Sequence, residues 1–183
     1  MTLPTDPAVP AFPAGYEPFP ADFTAWVTTP FSFLASPPAF RGQLTTATAI
    51  GAGATVLAPI NSILEDPYGG WSASATGSQA AHSWLCPPGC SGWYDVTLSG
   101  LTNASSSTTS VVKAVLALDG VQYAQVAAGW QPNGHSAGAS GGIQVPLLGG
   151  IDYLQLYLFS GVAVNTPTTT GQTPTMELAW ISS

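Results

Sequence analysis

From Phe40 onward, apolar residues come in short runs divided by Gly, Pro and Asn, and several runs alternate with a period of two. The clearest is Ile151 to Phe159. In an extended chain Tyr153, Tyr157 and Phe159 fall on one face, and Leu154, Leu156 and Leu158 on the other. Trp93 to Leu98 behaves alike, with Tyr94, Val96 and Leu98 opposite Trp93, Asp95 and Thr97. Val111 to Leu118 is a mostly apolar strand, Asp119-Gly120 a two-residue hairpin signal, and Val121 to Ala128 the returning strand. Further strands are expected at Phe40 to Thr46, Thr55 to Pro59, Ile63 to Glu65, Ser78 to Leu85, Ile143 to Leu148 and Met176 to Ile181. The stretches 51–54, 103–110, 131–142 and 165–175 read as loops. At the centre, Trp84 to Val96 is a Pro-Gly corner, with an apolar strand end before it and an aromatic pair opening the next strand. Many short strands with no heptad, βαβ alternation or repeat predict an all-β sandwich or barrel over residues 39–183.

The front of the chain follows other rules. Pro4, Pro7, Pro10, Pro13, Pro18 and Pro20 exclude a helix or a central strand and predict an extended arm, partly polyproline II. A disordered tail would have the same prolines but few aromatics, whereas this arm carries Phe12, Tyr16 and Phe19, which suit a segment lying against a surface. Over 21–28 a short helix is expected, with Asp22 as its cap and Phe23, Trp26 and Val27 on one face; Pro30 ends it. Phe31, Phe33 and Leu34 then form a docking segment, for this domain, a neighbouring subunit or a scaffold. The chain thus divides into an arm, 1–38, and a β domain, 39–183.

Charge narrows the partners. Charged residues make up 6% of the 183, against about 25% in an ordinary domain, so much of the surface is neutral enough to be buried between subunits. With Arg41 and Lys113 as its two cations and a net charge of −7, the chain has no basic patch for nucleic acid or for an anionic membrane. No apolar run approaches the roughly 20 residues of a spanning helix. The N-terminus has neither the basic nor the apolar region of a signal peptide.

Candidate chemistry is sparse. Cys86 and Cys90, with His82 nearby, fall short of a four-ligand zinc site, and clustered acids for calcium are few, so no metal and no cofactor is expected. An oxidising compartment would permit a Cys86–Cys90 disulfide; otherwise the two are small apolar thiols at a strand corner. Gly138-Ala139-Ser140-Gly141-Gly142 spells a nucleophile elbow, but a polar loop precedes it and a strand follows, so His135 and Asp152 complete no triad. Adjacent Glu65 and Asp66 serve a turn, and no facing carboxylate pair can be read for glycoside hydrolysis. No enzyme is expected. Of Trp71, Trp84, Trp93, Trp130 and Trp180, most belong to strand faces and fill the sandwich or a subunit interface. Trp130 differs: with Asn133 and His135 it marks a Gly/Asn/His loop suited to recognition.

The order of these pieces resembles the jelly roll of the complement globular head and tumour necrosis factor. It carries an early strand at Phe40, an Asp-Pro-x-x-Gly turn at Asp66 to Gly70, and the aromatic corner Trp84 to Tyr94. Asp119-Gly120, then Gly150-Ile151-Asp152 opening a Leu-rich strand, and Trp180 in the last strand complete it. The front end resembles something narrower. Ala21 to Val27, Phe31 to Arg41 and Glu65 to Trp71 look like virion proteins, minor tail or capsid decoration, of actinobacterial phages. These resemblances imply a homotrimeric, non-enzymatic jelly roll assembled in the bacterial cytoplasm and carried on the virion. Its arm would attach it to tail or capsid proteins through Phe12, Tyr16, Phe19, Phe23, Trp26, Phe31 and Phe33. Its threefold contact is expected at Tyr153, Tyr157 and Phe159. The competing expectation is an adhesion module binding a host-surface glycan or receptor through the loops at 103–110, 130–142 and 165–175.

Overall fold

The computed structural model describes residues 36–103, 110–131, 135–168 and 173–182. The arm residues before Ser36, the expected helix at 21–28, and Asn133 lie outside the described residues.

In chain order the strands are β1 (Ala39–Gln43), β2 (Ala49–Ile50), β3 (Ala54–Leu57), β4 (Ser62–Glu65), β5 (Trp71–Ser72), β6 (Ser83–Leu85) and β7 (Gly92–Thr102). They continue as β8 (Ser110–Leu118), β9 (Val121–Gln131), β10 (Ala137–Leu147), β11 (Tyr153–Ser160), β12 (Val164–Asn165) and β13 (Thr175–Ser182). Two antiparallel sheets face each other. The first runs β10-β7-β13-β1-β4; the second runs β5-β6-β11-β8-β9, with β3 also paired to β11. The short pair β12-β2 stands apart.

Alternation sets which side chains enter the core. Tyr94, Val96 and Leu98 of β7 are buried, as are Leu154, Leu156 and Leu158 of β11, each against the opposite sheet. The Asp119-Gly120 hairpin turns as its sequence predicts: both residues have positive φ, 53° and 76°, the twist a two-residue loop needs.

One expected loop is largely strand. β9 extends through Gln131 and β10 opens at Ala137, so Gly138 to Gly142 is part of an eleven-residue strand paired with β7 from Ala137↔Thr102 to Leu147↔Gly92. The glycines that suggested a loop serve close packing. The edge strands β9 and β10 cross so tightly that a Cβ on Gly141 would lie 2.5 Å from the Val126 carbonyl oxygen, and one on Gly129 would meet the Gly138 carbonyl. The sandwich is closed along that side. At the opposite side β4 is the edge of the first sheet among the described residues.

Candidate functional site

The corner that dominates the sequence is a structural hub. Asp66 holds it: Oδ1 accepts from the Gly70 amide at 3.0 Å and from the Trp84 indole Nε1 at 3.3 Å, and Oδ2 from the Trp71 amide at 2.9 Å. The Asp-Pro-x-x-Gly turn is thereby tied to the aromatic core, where Trp84 meets Tyr94 edge-on at 5.6 Å and Phe40 stacks on Trp71 at 5.2 Å. Cys86 and Cys90 lie buried beneath as free thiols. Cys86 Sγ is 3.3 Å from the Cys90 carbonyl oxygen, which also accepts from the Tyr94 hydroxyl at 2.6 Å. Burial, reinforced by Cys90 and Asp152 and only partly offset by the Tyr94 hydrogen bond, pushes the Cys86 thiol up to about 11.

The candidate chemistry is dispersed. Ser140 sits mid-strand opposite Ser99, and Asp152 is buried in the β10–β11 turn, its Oδ2 accepting from the Leu148 amide at 2.8 Å. Between Ser140 and that turn lie seven residues of strand, about 23 Å, far beyond the reach of a triad. Asp95 belongs elsewhere, on the outer face of the first sheet, in a concavity of about 400 Å³ shared with Arg41, Glu65, Thr97 and Glu177. Arg41 Nε there contacts Glu177 Oε1 at 3.1 Å, with both side chains about half exposed. No group of three His, Cys, Asp or Glu suited to a metal occurs among the described residues.

The structure does bring two separate expectations together. Tyr153, Tyr157 and Phe159 occupy the outer face of the second sheet, half-buried. Cross-strand register puts Phe159 beside Lys113, and Lys113 beside Ala128; two pairs further along, on the same face, Val111 lies beside Trp130. Trp130, 72% exposed, therefore shares a sheet face with Phe159, two strands across and two residues along, about 12 Å away. Lys113 Nζ sits 5.0 Å above the Phe159 ring, so the chain's lysine spends its charge on that face. Burial, then the Asp119 carboxylate and Tyr157, raise the Tyr153 hydroxyl above its ordinary value. His135 is exposed just before β10.

Sequence reasoning overlooked one part of this surface and an exposed apolar stretch elsewhere on β9. Gln155, on the same strand face as Tyr157, is buried because its Nε2 donates to the Ala81 carbonyl at 2.9 Å, so the loop before β6 covers that end. Val121 and Tyr123 are exposed on β9, and their alternation straight after Asp119-Gly120 was the available signal.

No family model matches the sequence, and no curated protein matches it. Solved structures do. Murine APRIL at pH 5.0 superposes with a TM-score of 0.54 at 10% identity, over 79% of this chain and 98% of that one. The globular domain of zebrafish complement 1qA gives 0.49 at 15%, over 79% and 97%. Eiger TNF from S. frugiperda gives 0.49 at 12%, over 80% and 92%. At such identities the APRIL likeness establishes the fold: the chain is an all-β, two-sheet jelly roll of the complement/tumour necrosis factor type, as the order of its motifs predicted.

Proposed function

We propose that this protein is a non-enzymatic structural component of a phage virion, a homotrimeric jelly roll held to tail or capsid by its N-terminal arm. The virion context rests on the resemblance of the segments at 21–27, 31–41 and 65–71 to virion proteins of actinobacterial phages. The observation that supports assembly is the outer face of β11 bearing Tyr153, Tyr157 and Phe159, half-buried aromatics of the kind covered between subunits, with Trp130 at its far margin. A cyclic trimer is heterologous: this face meets a different patch on the next copy, and the ring closes after three. Light scattering is expected to give three times the chain mass. Tyr157→Asp, which puts a carboxylate on the face without entering the core, is expected to give monomers of unchanged circular dichroism. A variant trimer of full mass would sink this interface.

Trp130 favours a second reading, a glycan- or receptor-binding face on the same particle. An indole that is 72% exposed on a rigid strand end is a ready stacking platform. On an array of bacterial cell-wall glycans, Trp130→Ala is expected to weaken any binding about tenfold or more while leaving the trimer mass intact. Equal binding by wild type and variant would remove Trp130 from the site.

A further inference from the structure

We propose that Cys86 and Cys90 form a redox-sensitive device, in which an internal disulfide unseats the β10–β11 turn that rests on their loop. Both thiols are buried, and Pro87, Pro88 and Gly89 between them make a tight reversal: the Cys90 amide donates to the Pro87 carbonyl at 3.1 Å, with Gly89 at a φ of 79°. Proline at the second position and a glycine of positive φ at the third are what a type II turn requires. In the reduced chain the Cys86 sulfur is engaged with backbone and hydroxyl, not with sulfur. It lies 3.3 Å from the Cys90 carbonyl oxygen and 3.5 Å from the Tyr94 hydroxyl, which itself donates to that carbonyl at 2.6 Å. A bond to Cys90 Sγ removes the thiol proton and draws Cys86 away from this carbonyl, so the turn between the two residues has to shift.

The β10–β11 turn leaves that shift no slack. The Gly150 amide donates to the Cys86 carbonyl at 2.7 Å, the Cys86 amide to the Asp152 carbonyl at 2.9 Å, and the Gly149 amide to Ser91 Oγ at 2.8 Å. A Cβ on Gly149 would lie 2.5 Å from the Pro87 carbonyl oxygen and 3.0 Å from the Cys90 amide nitrogen. Backbone meets backbone here, so movement of 87–90 is passed to 148–152. Burial raises both thiols above their ordinary value, so the attacking thiolate is scarce until the corner opens. A small disulfide such as oxidised glutathione balances the step. One cysteine thiolate attacks it and expels a first small thiol; the second cysteine attacks the protein sulfur of the mixed disulfide and expels another. The protein loses two S–H hydrogens and gains one S–S bond, and the reagent is reduced to two thiols. Nothing here depends on the virion reading: any chain that passes from a reducing to an oxidising compartment meets both states.

Hydrogen exchange on the full-length chain in its two redox states tests it. After incubation with oxidised glutathione, mass spectrometry is expected to find the chain lighter by two hydrogens, with Cys86 and Cys90 joined. The amides of Gly149 and Gly150 are then expected to exchange about tenfold faster or more, with β8 unchanged, and to recover under dithiothreitol. The Cys86→Ala/Cys90→Ala chain, treated alike, is expected to exchange as it does untreated. A wild-type chain that keeps both thiols, even after refolding from denaturant in the same buffer, overturns the proposal. So does a bond between two chains or a lasting glutathione adduct. A joined pair that leaves 149–150 at their reduced rates, or a loosening that reaches β8 or recurs in the double variant, overturns it as well.

Discussion

Trp84→Ala is expected to lower the unfolding free energy by about 3–5 kcal/mol, the usual cost of deleting a large buried aromatic. Trp84 has no exposed surface and lies on β6, paired with Trp71 on one side and Leu154 on the other. Its removal opens a cavity bordered by Phe40 and Tyr94, whose rings lie 6.4 and 5.6 Å away, and both are themselves packed too tightly to collapse into it. It also strips one donor from Asp66, the residue that anchors the preceding turn. Against a typical domain stability of about 5–15 kcal/mol this is a large share. Trp84→Phe separates the contributions: most of the volume stays while the indole hydrogen bond goes, so a loss of about 1–2 kcal/mol is expected. Urea unfolding followed by circular dichroism, at one fixed protein concentration because assembly feeds into apparent stability, measures both. An alanine variant within about 1 kcal/mol of wild type would mean that the corner is not the hub of the core.

The architecture was legible wherever one face of a strand is buried and the other is not. Alternation alone put Tyr94, Val96 and Leu98 on one face of their strand, and likewise Leu154, Leu156 and Leu158 on one face of theirs, and all six are buried. Local punctuation was equally readable at Asp119-Gly120 and at Asp66, because turn chemistry acts within a few residues. The reading failed at Gly138 to Gly142, where glycine answers to a neighbour distant in sequence: the crossing of β9 over β10 needs backbones too close for side chains. The candidate site was illegible for the same reason. Tyr157, Phe159 and Trp130 were each singled out, yet only the pairing of β8 with both β9 and β11 shows that they share a face. Lys113, which lies between them, carried no signal of its own until Phe159 was found beneath it.

Raising the pH from 9 towards 11 is expected to weaken the reduced protein through Cys86. The thiol is fully buried, and burial, the largest cause, lifts it from 9.0 to about 11. In the unfolded chain it ionises near its ordinary value, so between the two pKa values the unfolded state binds fewer protons than the native state. The contribution is therefore complete below pH 9 and lost as pH rises through 11, for a total of roughly 2–3 kcal/mol. Tyr94 acts in the same direction: burial first, then the neighbouring Cys86, keep its hydroxyl neutral well beyond its usual range. Denaturant midpoints measured under reductant from pH 8 to 11 should fall more steeply for wild type than for Cys86→Ala, which keeps Tyr94 but has no thiol to ionise. Without reductant, a disulfide with Cys90 would remove the same titration and flatten the wild-type curve to match. Parallel curves for wild type and Cys86→Ala under reductant would show that the thiol is open to water in the folded protein. The hydrogen-bonded corner of Cys86, Cys90 and Tyr94 would then not be the closed end of the core.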